Sequence, residues 1–178
     1  MISADRLVSE GVKQITPYIP GKPIEELEKE YNIRGAIKMA SNENPLGPSP
    51  KAVGAIGKYV SNINRYPEGG CFYLRQALAK KLKAKPEQFI FGNGSDELIG
   101  LTLRAFVREG DNVLVANPTF LMYGVSSTAH GANIKVVPTR YFKYDLKAMK
   151  AAVTKDTKVV FIANPDNPNG TYVSKYEL

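Results

Sequence analysis

The sequence predicts an α/β fold with a mostly parallel sheet flanked by helices and an N-terminal arm in front of it. Between Asn112 and Ala163, short and nearly continuous apolar segments alternate with segments whose apolar residues recur at helical spacing. Continuous apolar strands are typical of parallel sheets that are covered on both faces. Loops rich in proline and asparagine follow two of these strands, at the edge where open α/β sheets bind ligands.

The composition argues against several classes of protein. Of the 178 residues, 43% are hydrophobic and 23% are charged, so the chain can bury a core and is not a disordered tail. The net charge is +7, but the basic residues are dispersed, apart from a lysine group at the end of a predicted helix, residues 80–85. No surface stripe of interleaved basic and aromatic residues is visible, so we expect no nucleic-acid partner.

The single cysteine, Cys71, and the single histidine, His130, allow no disulfide framework and no Cys/His metal site within one chain. Such a chain fits a reducing cytoplasm. The first residues lack the apolar core of a signal peptide, and no apolar run approaches the length of a membrane span. We therefore expect a cytoplasmic protein that holds no metal and has no membrane partner.

The first part of the chain is predicted to form an arm followed by short elements. Residues 1–20 are polar and end with Tyr18 between two prolines, which favours an extended or turning backbone. Pro23 opens a helix over 24–31, a short strand is predicted over 36–40, and the proline-rich segment 41–50 is irregular. Ser49 and Pro50 then begin a helix that runs to about Val60.

A second irregular loop, Asn64–Gly70, precedes a helix over 71–82 with apolar residues at helical spacing. The next stretch is the one around which the chain is organised. Phe89–Phe91 predicts a strand, Gly92–Gly94 a tight turn, and Ser95 the start of a helix.

A helix that begins directly after a glycine turn can bind phosphate, because its first N–H groups have no partner within the helix. The competing interpretation is that Ser95 or Asp96 only caps the helix. Neither the P-loop motif nor the dinucleotide fingerprint is present, since Glu97 stands where the fingerprint needs its third glycine. The turn is therefore suited to one phosphate group rather than to a nucleotide pyrophosphate.

Strands and helices then alternate. We predict strands over 112–116, 133–137 and 157–163, and helices over 123–130 and 146–153. The final residues, 172–178, look like the start of another helix capped by Ser174. This unfinished unit leads us to expect that the 178 residues are a truncated part of a longer protein.

Two loops after predicted strands carry candidate ligand-binding residues. In Asn117–Tyr123, Phe120 could lie against an aromatic ligand, although such a residue is more often part of a core. In Asn164–Gly170, two prolines flank Asn167, whose amide could donate a hydrogen bond to an oxygen of a bound ring. The alternative for this second loop is an ordinary turn.

Five segments, in this order, resemble the N-terminal half of fold-type I, pyridoxal-phosphate-dependent aminotransferases: Asn42–Pro48, Arg65–Pro67, Gly92–Glu97, Pro118–Phe120 and Asn164–Gly170. Within this superfamily they are most similar to the histidinol-phosphate aminotransferase family. The resemblance covers nearly the whole chain from Pro17 onward. One detail departs from the family pattern, because Asn169 stands where the family usually has threonine.

The resemblance implies roles for seven residues. The backbone N–H groups of Ser95 and Asp96 would bind the phosphate of pyridoxal 5'-phosphate, Phe120 would stack on its ring, and Asn167 would donate to its phenolic oxygen. Tyr66 would reach the cofactor of a neighbouring subunit, which implies a homodimer. Tyr18 and Asn44 would lie near the amino-acid substrate.

The resemblance also implies what these 178 residues lack. The family's Schiff-base lysine, its aspartate for the pyridine nitrogen, a tyrosine and a substrate-binding arginine all follow the turn that ends at Gly170. We therefore expect no catalytic residue in this chain, an inactive piece, and a surface position for Lys175. The expected division is an arm and small-domain segment at 1–45 and a partial cofactor-binding large domain at 46–178.

The resemblance implies that the parent enzyme moves an amino group between histidinol phosphate and 2-oxoglutarate, in histidine biosynthesis. Two alternatives remain. One is another fold-type I enzyme, such as an aromatic-amino-acid aminotransferase or a phospho-amino-acid decarboxylase. The other is a non-catalytic, phosphate-binding α/β module.

Overall fold

A computed structural model describes residues 6–178 of the chain. The chain divides into two compact units. The first unit is Pro17–Phe89, and the second unit joins the N-terminal residues through Thr16 to Ile90–Leu178. The predicted division at residue 45 stays a prediction.

Seven α-helices are present in the described residues, and they are listed here in chain order: α1 Glu10–Lys13, α2 Ile24–Tyr31, α3 Pro50–Tyr59, α4 Phe72–Leu82, α5 Ser95–Phe106, α6 Leu121–Ala129 and α7 Leu146–Ala152. Three strands accompany them: β1 Asn112–Asn117, β2 Asn133–Pro138 and β3 Thr157–Val160. Short 3-10 turns follow α3 and α4, at Val60–Asn62 and Pro86–Gln88. The predicted helices over 24–31, 50–60, 71–82, 123–130 and 146–153 are confirmed within two residues at either end.

In the first unit, Arg75 ties α4 to the chain that follows it. Its guanidinium donates to the carbonyl oxygens of Gly70 at 3.1 Å and Pro86 at 3.0 Å, and also to that of Phe89. A guanidinium carries five N–H donors in a fixed plane, so one side chain can join several backbone segments. This arrangement holds the loop before α4 and the loop after it around one side chain.

Three predicted elements are wrong. Residues 36–40 and 89–91 form no strand, because a strand needs a ladder partner and the sheet of the described residues consists of β1, β2 and β3 alone. The side chains of Ile37 and Met39 are exposed rather than packed on a sheet. The residues after Ser174 form a hydrogen-bonded turn instead of a helix, with Glu177 N donating to Ser174 O at 3.1 Å.

The second unit contains a parallel sheet of three strands in the order β2-β1-β3. The central strand β1 pairs with β2 from Asn112↔Asn133 to Asn117↔Pro138, and with β3 at Val113↔Val159 and Leu114↔Val160. Residues 112–116 of β1 are all buried. The predicted parallel α/β fold is therefore confirmed.

Alternate residues of β1 point to opposite faces of the sheet, so each face has its own core. Leu114 and Ala116 pack with Met149 of α7 and with Tyr144. Val113 and Val115 pack with α5 residues such as Leu103, and Phe120 and Tyr123 lie against the same cluster. Helices thus cover both faces of the central strand β1, as its continuous apolar sequence predicts, while β2 and β3 keep exposed residues.

Both α5 and α6 point their N-termini toward the carboxyl edge of the sheet. At the opposite edge their C-terminal ends meet, where a ring nitrogen of His130, Nε2, bonds Val107 O at 2.9 Å and Gly110 N donates to Gly131 O at 3.0 Å. A helix that leads into a strand, or follows one, runs antiparallel to it in such units. The starts of both helices therefore face the edge at which β1 and β3 end.

Across residues 6–178, no helix has the length and apolarity needed to cross a membrane.

Candidate functional site

The start of α5 has no side-chain cap. Its N-cap is Gly94, which lies at φ 85° and offers no side-chain oxygen. Ser95 and Asp96 are already the first residues of the helix. The interpretation in which one of them occupies the capping position is therefore wrong, and the first-turn N–H groups face outward without a capping side chain.

The acidic side chain of Glu97 folds back over the preceding turn. Its Oε2 accepts hydrogen bonds from Asn93 N at 2.5 Å and from Asn93 Nδ2 at 3.1 Å. A Cβ placed on Gly92 would stand 3.0 Å from the same oxygen, so a side chain there would press on it. Glycine at position 92 thus leaves room for the carboxylate, whose charge is satisfied by the turn.

Phe120 closes the loop after β1 and forms the N-cap of α6. Its ring meets that of Tyr123 edge-on at a centroid distance of 5.4 Å, and Tyr123 stacks on Phe161 at 4.5 Å. Burial raises the pKa of the Tyr123 hydroxyl, with the nearby Asp166 charge as a smaller cause. The half-buried ring of Phe120 is therefore held in place by a column of aromatic side chains.

The loop after β3 is closed by its own polar groups. The Asn164 side chain donates to Val173 O at 2.9 Å and accepts from Val173 N at 3.0 Å. Within this ring, Asp166 N donates to Thr171 O at 2.7 Å, and Gly170 N donates to Asp166 O at 2.8 Å. Asn167 lies exposed at the far part of the loop, next to the buried Asp166.

The carboxylate of Asp166 joins this loop to the loop after β1. Oδ1 accepts from Thr119 Oγ1 at 2.7 Å and from Tyr144 Oη at 2.8 Å, and Oδ2 accepts from Asn169 Nδ2 at 2.6 Å. The Asn169 amide also donates to Pro118 O at 3.3 Å. The two loops that follow β1 and β3 are therefore bonded to one another directly.

Tyr144 supplies a donor that keeps its proton. Its hydroxyl oxygen accepts from Ala163 N at 3.0 Å while the hydroxyl donates to Asp166. The pKa of Tyr144 is raised to about 12, mainly by burial; the hydrogen bonds from Thr119 and Ala163 oppose this shift, and the Asp166 carboxylate adds to it. At neutral pH the phenol is therefore a hydrogen-bond donor to the carboxylate.

The structure brings four of the seven predicted site residues to one edge of the second unit. Phe120 and Asn167 are carried by the two loops that Asp166 joins, and Ser95 and Asp96 begin a helix whose start faces this edge. The roles that the family resemblance implies for these residues stay predictions.

The other three predicted site residues belong to the first unit. Tyr66 is fully exposed at 101%, and Tyr18 is exposed. Asn44 organises its own turn, because its Oδ1 accepts from Leu46 N at 3.0 Å and its carbonyl from Gly47 N at 3.2 Å. Lys175 is exposed, as expected.

Sequence reasoning missed Asp166, Tyr144 and Thr119. The one available signal is that Asp166 stands between two prolines in the loop after an apolar strand, where asparagine or serine would suit an ordinary turn equally well. Tyr144 has no local signal, since its partner lies 22 residues away. Among residues 6–178, no group of three or more histidine, cysteine, aspartate or glutamate side chains could hold a metal ion.

Curated relatives match nearly the whole chain. The histidinol-phosphate aminotransferase of Moorella thermoacetica is 47% identical over 169 residues, which are 95% of this chain and 44% of that relative. The enzyme of the same name from an Anaeromyxobacter species is 45% identical over 173 residues, or 97% of this chain and 48% of that relative. The chain thus spans less than half the length of these curated relatives.

A solved structure agrees in fold. The crystal structure of histidinol-phosphate aminotransferase from Sinorhizobium meliloti, in complex with pyridoxal-5'-phosphate, superposes with a TM-score of 0.77 at 27% identity, covering 90% of this chain and 42% of that one. The family model for aminotransferase class I and II matches residues 34–178. Since this match takes in most of the sequence, the chain belongs to the aminotransferase class I and II family.

Proposed function

We propose that the whole protein is a pyridoxal-phosphate-dependent aminotransferase that moves an amino group between histidinol phosphate and 2-oxoglutarate. The observation that carries this proposal is the uncapped start of α5 at the same edge as the two joined loops. The substrate comes from the names of relatives that are 47% and 45% identical to the chain.

The groups at this edge suit a flat aromatic phosphate. The N–H groups of Ser95 and Asp96, at the positive end of a helix without a side-chain cap, would hold the phosphate. The half-buried Phe120 ring would lie against the cofactor ring, and the exposed Asn167 amide would donate to its oxygen. When bound, pyridoxal phosphate supplies an electron sink for the chemistry at the amino-acid α-carbon.

Each of these residues contributes position rather than proton transfer. The contacts of Phe120 with Tyr123, and of Tyr123 with Phe161, would hold the Phe120 ring in a fixed position against the cofactor. Such fixed groups lower the entropy cost of holding the reacting atoms in place.

Partners and location belong to the same proposal. We expect a homodimer in which Tyr66 of one subunit serves the cofactor of the other, and Tyr18 and Asn44 to lie near the substrate. The exposed ring of Tyr66 is available for such a contact. A cytoplasmic location, which fits the single cysteine, is part of the proposal too.

The test is an assay of the complete gene product with pyridoxal phosphate. Glutamate should form from histidinol phosphate and 2-oxoglutarate much faster than from phenylalanine and 2-oxoglutarate. A preference for phenylalanine would instead identify an aromatic-amino-acid aminotransferase. Release of CO2 from a phospho-amino acid would identify a decarboxylase, and failure to bind pyridoxal phosphate would reject the function altogether.

A further inference from the structure

The buried carboxylate of Asp166 has no part in the function as described so far. Asp166 is only 5% exposed, whereas the neighbouring Asn167 on the same loop is exposed. A carboxylate in such a place is costly unless several donors satisfy it. Four side chains from three segments of the second unit meet here: Thr119, Tyr144, Asp166 and Asn169.

The hydrogens in this cluster fit an ionised carboxylate. An ionised carboxylate only accepts, and the groups that touch Asp166 are two hydroxyls and one amide NH2. The Thr119 and Tyr144 oxygens also lie 2.6 Å apart. With one hydrogen each, Tyr144 donates to Oδ1, and the Thr119 hydrogen lies between Oδ1 and the Tyr144 oxygen, both of which are within bonding distance.

We propose that Asp166 is a positioning residue that sets the place of Asn167 relative to Phe120, an inference that rests on the function proposed above. A single hydrogen bond of 2.7 Å between Thr119 and Asp166 joins the loop after β1 to the loop after β3. Asn167 directly follows Asp166, and Phe120 directly follows Thr119. Fixing Asp166 and Thr119 therefore also fixes the positions of Asn167 and Phe120, the two residues that would contact the cofactor.

Asp166→Asn replaces one carboxylate oxygen, an acceptor, by an NH2 group, a donor, and keeps the shape of the side chain. If the new NH2 group faces the Asn169 amide, two donors meet and cannot bond. If it faces the Thr119 and Tyr144 hydroxyls, these must turn to accept, and the charged acceptor to which both were bonded is gone. The loop should then lose its fixed position, although its volume is unchanged.

The experiment is a double-mutant cycle in the complete gene product, with pyridoxal phosphate removed and titrated back. We expect Asp166→Asn and Asn167→Ala each to weaken cofactor affinity about ten- to a hundredfold, the scale of one lost hydrogen bond to a charged partner. If Asp166 acts through Asn167, the double variant should be about as weak as Asn167→Ala alone, since coupled residues are not additive. The absorption spectrum of the bound cofactor should change in the same way in both single variants.

The matched control is Asp156→Asn, an exposed aspartate in the turn before β3. It makes the same chemical change and should leave both affinity and spectrum as they are. If Asp166→Asn does not fold, Tyr144→Phe takes its place in the cycle, because it removes one donor from Oδ1 and keeps the ring.

Full additivity of the two effects would overturn the inference, since a purely structural role would weaken binding independently of Asn167. So would unchanged affinity in Asp166→Asn when the unaltered protein binds pyridoxal phosphate, and in that case the proposed function would stand. If the unaltered protein does not bind pyridoxal phosphate, the function and this inference both fail.

Discussion

Thr119 and Asp166, 47 residues apart in the sequence, share a hydrogen bond of 2.7 Å. This bond joins the loop after β1 to the loop after β3 at the carboxyl edge of the sheet. Because the strands are parallel neighbours, their following loops emerge side by side, and a short polar contact suffices to connect them. The edge that would hold a cofactor is therefore a bonded assembly rather than two independent turns.

Asn167→Ala in the complete gene product should weaken pyridoxal phosphate binding by about 1.5–3 kcal/mol, because one hydrogen bond to a charged partner is lost. Equilibrium titration of the cofactor measures this. The matched control is Asn133→Ala, which removes an amide that donates to Gly110 O at 2.7 Å at the opposite edge of the sheet. Equal loss of affinity in both variants would show that the Asn167 effect is only one of stability.

Ser127→Ala should stabilise the protein by about 1 kcal/mol, because a buried hydroxyl without a partner costs free energy in the folded state. Ser127 is 0% exposed, and among the described residues its Oγ is a buried side-chain oxygen with no hydrogen-bond partner. Urea unfolding of the variant measures the change. Ser126→Ala, one position earlier on α6 and partly exposed, is the control and should change little. A clear loss of stability in Ser127→Ala would contradict this prediction.

Gly11→Ala should release α1 from α6. A Cβ on Gly11 would stand 2.2 Å from the carbonyl oxygen of Thr128, a contact that backbone atoms cannot relieve without moving. Amide hydrogen exchange at Val12 and Lys13, which donate to Ser9 O, should become faster. Gly54→Ala in α3 is the control, since nothing lies within 4 Å of its added Cβ, and it should stabilise its helix by about 1 kcal/mol. Unchanged exchange in Gly11→Ala would show that α1 is not packed in this way.

The folded protein should lose stability at high pH through Tyr144. Burial raises the pKa of its hydroxyl from the ordinary 10.0 to about 12, so the folded state favours the protonated phenol. That contribution is fully present below about pH 10 and is lost as the pH rises toward about 12. Tyr144→Phe should therefore flatten the fall of stability over this range, whereas Tyr176→Phe, a highly exposed tyrosine, should not. The same slope in Tyr144→Phe and in the unaltered protein would refute the assignment.

How far the sequence predicts this structure depends on the range of the interactions. Helices α2 to α7 and the three parallel strands follow from prolines, caps and apolar spacing within each segment, and Gly94 marks the start of α5 correctly. The short helix α1, which lies in the arm predicted to be extended or turning, was missed, and β3 ends at Val160 rather than at residue 163. Residues 36–40 and 89–91 have strand-like composition, but strand formation depends on a partner that the local sequence does not contain. The Asp166 cluster was missed for the same reason, because its donors lie 22 and 47 residues away.

Association in the complete gene product is the remaining prediction. We expect a dimer at micromolar concentration in which Tyr66 of one subunit lies near Ser95 of the other, since the family resemblance assigns Tyr66 to the neighbouring cofactor. The fully exposed Tyr66 ring can make such a contact without unfolding its own loop. Sedimentation measures the mass, and disulfide formation between Tyr66→Cys and Ser95→Cys chains, mixed in a background of Cys71→Ser, measures the geometry.

The control pair uses Tyr73→Cys, another exposed tyrosine of the first unit, with the same Ser95→Cys chain. A native-like dimer joins the Tyr66 pair well before the Tyr73 pair, because disulfides form only between Cα atoms within about 7 Å. Association through unpaired strand edges, to which open sheets are prone, would give a dimer mass with neither pair joined. A monomeric mass would reject association in either form, and a dimer without the Tyr66 crosslink would leave Tyr66 no part in the neighbouring site.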